Sequence, residues 1–184
     1  MRIIAGKAKS LPLQSLPGEQ TRPTTDRIKE TLFNMIQFKI QNANFLDLFA
    51  GSGGIGLEAI SRGAAQAVFV ENNKKAASYI EKNIAFTKFN AESTLLCSDV
   101  LAALHRIEGN YHFDLVFMDP PYDQLLEKDV LLYLKDSKLI DEETLLIVEI
   151  SLHTDTSYLK DAGYTITKEK KYKTNAHIFL KRSL

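Results

Sequence analysis

The chain has 184 residues, 45% hydrophobic and 25% charged, enough for one domain with a full core and a small appendage. Its 23 basic and 23 acidic side chains cancel, which argues against a generic polyanion binder, and no stretch approaches the ~18 apolar residues of a membrane span. The N-terminus MRIIAGKAKS lacks a signal-peptide pattern, and one cysteine, Cys97, cannot form an internal disulfide, so the expected setting is cytoplasmic, with no membrane role. Arg2–Ile4 reads as a short strand, followed by the loop LPLQSLPGEQTRP. Thr24 or Thr25 can cap a helix running to about Lys39, with Ile28, Leu32, Met35 and Ile36 inward. Strands are expected at 45–49, 67–71, 93–97, 113–118 and 144–150. Helices are expected at 55–62, 73–88, 100–107 and 125–134. The second of these helices turns Ala76, Ala77, Ile80, Ile84 and Ala85 to one face. Cys97 ends the apolar run STLLC and reads as a buried small hydrophobe. Gly163–Lys171 and Thr174–Arg182 form a hairpin around Tyr172 and Lys173. Strands alternating with helices imply right-handed crossovers and a mainly parallel sheet covered on both faces.

Charge is uneven along the chain. Residues 1–30 balance at +3, residues 168–184 at +5, and the remainder at −8. Positive ends on an acidic body suit local contacts with phosphates.

Gly51-Ser-Gly53-Gly-Ile-Gly56 satisfies G-x-G-x-x-G between a strand and a helix. Such glycines permit a tight turn and a close backbone approach to a ligand. Glu71 follows about 20 residues on, placed to accept both ribose hydroxyls of a nucleoside cofactor. A nicotinamide dehydrogenase and an S-adenosylmethionine-dependent methyltransferase both fit this pattern. Asp47, inside the strand before the glycines, suits a cationic sulfonium and amino group better than a pyrophosphate. Asp99 can accept from an adenine amino group, cap the helix that starts at Val100, or do both.

The strand at 113–118 runs into Asp119-Pro120-Pro121-Tyr122. Proline pushes the residue before it out of helical conformations, so the Asp119 and Pro120 carbonyls are held out of helical turns and can point into a cleft. An exocyclic base amine is a poor nucleophile, because its lone pair is delocalised into the ring. The Asp119 carboxylate and Pro120 carbonyl can bind its two hydrogens and aim the lone pair at a methyl group. Tyr122 can stack on the base. Cys97 lies on another strand, so a cysteine-nucleophile route to carbon methylation is not expected. His105, His112, His153 and His177 lack metal-ligand spacing, and no metal is expected.

RIIAGKAK at the start, RPTTDRIKETLFN at 22–34, FLDLFAGSGGIGLEAISRGA at 45–64 and FMDPPY at 117–122 together resemble the bacterial RsmD family, which methylates guanine N2 in 16S ribosomal RNA. The resemblance implies a Rossmann-like class I S-adenosylmethionine-dependent methyltransferase fold. That fold has a mostly parallel seven-stranded sheet, a C-terminal antiparallel hairpin and a small N-terminal extension. It implies an N-terminal extension and helix at 1–40 that contacts RNA through Arg22, Thr24 and Arg27, and a catalytic domain at 41–184. The implied cofactor contacts are Asp47, Phe49, Gly51, Ser52, Gly53, Gly56, Glu71, Asn72, Asp99 and Val100, with Asp119, Pro120, Pro121 and Tyr122 as the catalytic motif. The implied partner is 16S rRNA within an assembling small subunit. An amine methyltransferase on DNA (adenine N6 or cytosine N4) and a non-catalytic RNA-binding assembly module are the alternative readings.

Overall fold

Five apolar runs alternating with helices can bury both strand faces only in a parallel sheet, and they pair that way. The computed structural model describes residues 1–16, 26–121 and 124–183. Its parallel strands are β1 (Asn44–Leu48), β2 (Gln66–Glu71), β3 (Ser93–Cys97), β4 (Leu115–Met118) and β5 (Leu145–Ser151). A hairpin of β6 (Tyr164–Lys171) and β7 (Asn175–Arg182) completes the sheet, with β7 antiparallel to both β5 and β6. The sheet order is β3-β2-β1-β4-β5-β7-β6. Chain order therefore reverses between β1 and β4, and the crevice at their carboxyl ends is where such sheets bind ligands.

The pleat divides the side chains between two cores. Leu46, Leu48, Val70, Val116, Met118 and Val148 pack against α4 (Val100–Ile107) and α5 (Leu126–Lys135). Phe45, Phe69, Phe117, Ile147 and Phe179 pack against α1 (Asp26–Ile40), α2 (Gly54–Ser61) and α3 (Lys74–Thr87). A one-turn α6 (Tyr158–Asp161) precedes the hairpin and was not legible from spacing.

Several expectations change. Arg2–Ile4 makes only an isolated antiparallel bridge, Arg2 to Pro12. The arm spends other backbone groups on α2: Ile4 N and Ala5 N donate to Glu58 at 2.7 and 3.0 Å, and Lys7 N to Ser61 O at 2.8 Å. Gly6 makes this approach possible, since a Cβ there would lie 1.8 Å from Ser61 O. On α1 the buried stripe is Lys29, Leu32, Phe33, Ile36 and Ile40, so Ile28 and Met35 are only half-buried. On α3, Ala85 is exposed while Asn83 and Thr87 are buried. Cys97 is exposed rather than in the core, because β3 is an edge strand and Cys97 is its last residue. The proposed caps Thr24 and Thr25 lie outside the described residues.

Candidate active site

Positive φ angles at Phe49 (60°), Gly51 (57°) and Gly53 (78°) turn the chain sharply from β1 into α2. Left-handed backbone is costly for a side-chain-bearing residue, so the glycines are required at two of these three points. Gly56 serves packing instead: a Cβ there would sit 2.3 Å from the Phe69 ring, so its absence lets α2 lie close on β2. A Cβ on Gly51 would meet nothing within 4 Å. That face of the loop is open.

Three carboxylates surround the loop, and the backbone amides fix two of them. Asp47 is buried on β1, and its Oδ2 accepts from Gly56 N at 2.8 Å. Burial pushes its carboxyl well above the usual range; the Gly56 N–H acts against that shift, and the negative fields of Asp119 and Glu71 add to it. Glu71 ends β2, nearly buried. Its Oε2 accepts from Gly51 N and its Oε1 from Asn73 N, both at 2.8 Å. It is thus an anchored acid, and each oxygen keeps a second lone pair for a hydroxyl donor. Two loop and helix N–H groups that would cradle a pyrophosphate are thereby already taken by protein carboxylates. The fit is to a cation with hydroxyls, not to a polyanion.

The third carboxylate, Asp119, follows β4. Leu48 and Met118 are register partners, and Phe49 and Asp119 each come next in their chains, so Asp119 stands at the mouth of the glycine loop. Asp119 is half-buried, Pro120 buried and Pro121 exposed. Tyr122 lies outside the described residues, as do Arg22 and Thr24. Arg27 is exposed on the first turn of α1. Asp99 caps α4, accepting from Leu101 N and Ala102 N at 3.0 and 3.2 Å, with Val100 buried behind it and Asn72 exposed beyond β2.

Residue types alone did not single out two buried polar groups. Beside β4, Glu149 on β5 and Asn175 and His177 on β7 are buried together. His177 Nε2 lies 3.1 Å from Glu149 Oε2, Asn175 Nδ2 donates to Glu149 Oε1, and Tyr172 OH lies 3.2 Å from His177 Nδ1. The carboxylate inside the apolar run LLIVEI was the available signal. The second group is Glu58, which draws in Lys29 and Arg62. Among the described residues no cluster of three His, Cys, Asp or Glu side chains is placed to hold a metal ion. None of the described helices is long and apolar enough to cross a membrane.

A 3-2-1-4-5-7-6 sheet with an acid-lined glycine loop at its switch point is the class I S-adenosylmethionine-dependent methyltransferase fold. Residues 1–181 match the family model described as Conserved hypothetical protein 95. The chain belongs to that family, which is the RsmD family, alongside proteins named Ribosomal RNA small subunit methyltransferase D. It is 36% identical over 171 residues to the one from Haemophilus influenzae, covering 92% of this chain and 88% of that protein. It is 36% identical over 172 residues to the Escherichia coli K12 protein, covering 92% and 84%. The solved structure of the Escherichia coli protein yhhF superposes with a TM-score of 0.84 at 32% identity, covering 100% of this chain and 98% of that one.

Proposed function

We propose that the chain transfers the methyl group of S-adenosylmethionine to the N2 amine of a guanine in small-subunit ribosomal RNA, in the cytoplasm. The observation that carries this reading is the buried Asp47, which has no cation beside it among the described residues, at the base of the open glycine loop. The names of the relatives support ribosomal RNA as the substrate. The resemblance described above supplies the choice of guanine N2.

The cofactor supplies an electrophilic methyl group on a positively charged sulfur. Asp47 attracts that charge and the adjoining ammonium. Glu71 would accept from the ribose hydroxyls while its grip on Gly51 N holds the loop in shape. Asp99 would offer its second oxygen to the adenine amine, and Phe49, Ser52, Asn72 and Val100 would complete the residues that hold the cofactor. Asp119 and the Pro120 carbonyl bind the hydrogens of the target amine and orient its lone pair. Pro121 stiffens that turn, and Tyr122 stacks on the base. Residues 1–40 act as the RNA-contacting arm through Arg22, Thr24 and Arg27, and 41–184 as the catalytic part. This division is functional, since Ile3, Phe33 and Ile36 share a core with the sheet. An assembling small subunit is the natural partner of such an arm.

The test is transfer of labelled methyl to unmodified small-subunit rRNA, naked and in subunits, followed by nucleoside identification. N2-methylguanosine is expected, with turnover falling about 10²–10³-fold in Asp119→Ala, the scale for losing one preorganised group at the reacting centre. Label on adenosine or cytidine would reject the guanine assignment, and an Asp119→Ala enzyme as fast as wild type would reject the mechanism.

A further inference from the structure

The N-terminal arm meets the glycine loop through a buried amide that the mechanism above does not use. Asn83 on α3 is 1% exposed. Its Nδ2 donates to Ser52 O in the loop and to Gln14 O in the arm, each at 2.9 Å, and its Oδ1 accepts from Gln14 N at 2.9 Å. The carboxamide pairs with the Gln14 backbone as a neighbouring strand would, and its same amino group holds the loop. A second contact lies close by. Met1 Sδ is 3.8 Å from Ser52 Oγ and occupies the space a Cβ on Gly54 would need. Leu13 N donates to Met1 O at 3.0 Å, so both contacts belong to one closed piece of chain. The rear of that piece is fastened to α2 by Glu58 and by Ser61, whose hydroxyl donates to Ala5 O at 2.6 Å and accepts from Ala8 N at 3.0 Å.

We propose that Asn83 is a positioning residue coupling the cofactor loop to the N-terminal arm, so that cofactor and RNA bind cooperatively. This rests on the methyltransferase reading. Ser52 lies between Gly51 and Gly53, the two left-handed glycines of the loop. A ligand seated on the loop fixes the Ser52 peptide. The amide transmits that restraint to Gln14, and the arm meets RNA already ordered. Each ligand thereby lowers the ordering cost of the other, and the effect is reciprocal. An asparagine that merely stapled three segments would add stability without coupling.

Two measurements on wild type and Asn83→Ala decide this. The first is affinity for unmodified small-subunit rRNA with and without saturating S-adenosylhomocysteine. The second is hydrogen exchange over residues 10–16 with and without the same compound. Wild type is expected to bind RNA about fivefold tighter with the compound present, within the usual range of coupling, and to exchange more slowly at the Gln14 amide. Asn83→Ala is expected to bind both ligands while the affinity ratio falls to about one and exchange stops responding. Equal ratios in the two proteins, or no exchange response in wild type, overturn the proposal. Exchange needs no RNA, so absence of RNA binding counts against the substrate reading while exchange still decides the coupling. If wild type does not bind S-adenosylhomocysteine, the cofactor reading falls and the coupling with it. Should Asn83→Ala fail to fold, the wild-type exchange response stands as the deciding result.

Discussion

The two ends of α2 each hold a buried carboxylate, and the two are treated in opposite ways. At the C-terminal half, Glu58 has Lys29 Nζ at 3.2 Å, Arg62 Nε at 2.7 Å, and the amides of Ile4 and Ala5. At the N-terminal end, Asp47 has the Gly56 amide and the unfavourable fields of two other acids. Both sites are dry. One is internally compensated and fastens an arm; the other has no cation beside it among the described residues, as the proposed cofactor role requires. A buried acid by itself does not mark a site, and what surrounds it decides.

The largest expected effect would break the compensated end. Glu58→Gln leaves Lys29 as a fully buried ammonium whose pKa burial already lowers and which Glu58 chiefly, and Asp26 to a lesser degree, holds up. Chemical denaturation should show a loss of about 3–5 kcal/mol, the cost of breaking a buried pair from one side. A loss under about 1 kcal/mol would mean the charges were not paired in solution.

Asp47→Asn sharpens the contrast, because it should weaken binding while strengthening the fold. Asparagine still accepts from Gly56 N but carries no charge. Affinity for S-adenosylmethionine, measured by calorimetry, should fall roughly ten- to hundredfold, the worth of about 1.5–3 kcal/mol for a charged hydrogen bond. Stability should move the other way. The folded carboxyl titrates above its unfolded value near pH ~4, so the protonated form is favoured in the fold. Its contribution is full below the unfolded value and is lost as pH rises through the raised one. The melting temperature of Asp47→Asn relative to wild type should therefore be level near pH ~4 and climb with pH. A constant difference across pH would contradict the burial argument.

The smallest effect is the control. Arg2 Nε lies 2.9 Å from Asp26 Oδ2, but both side chains are largely in solvent. Asp26→Asn should change stability by less than about 1 kcal/mol, separating the buried clasp of the arm from its surface pairing.

How much of this could be read beforehand follows sequence distance. Gly51 to Gly56, Glu71 and the Asp119-Pro120-Pro121 turn announce themselves locally, because turn chemistry and strand ends are local properties. Glu58 does not, since its partners Ile4, Ala5 and Lys29 are brought to it only by the packing of α1 and the arm on α2. Cys97 ends the apolar run STLLC and so reads as core; its exposure depends on β3 lying at the sheet edge, a fact of topology. Asn83 is hidden in a helix whose apolar face is otherwise sound, and its neighbour Ala85 reads as part of that face although it is exposed. The cap made by Asp99 was local and legible.

The hairpin carries a consequence for biogenesis. β7 is synthesised after β6, yet it lies between β5 and β6. While the nascent chain lengthens, the first five strands can assemble, but the outer backbone of β5 stays uncovered until β7 emerges. An open strand edge is a template for pairing with other chains. β6 has no sheet partner in that interval, and its Lys168, Lys170 and Lys171 supply the charge that keeps it from recruiting one.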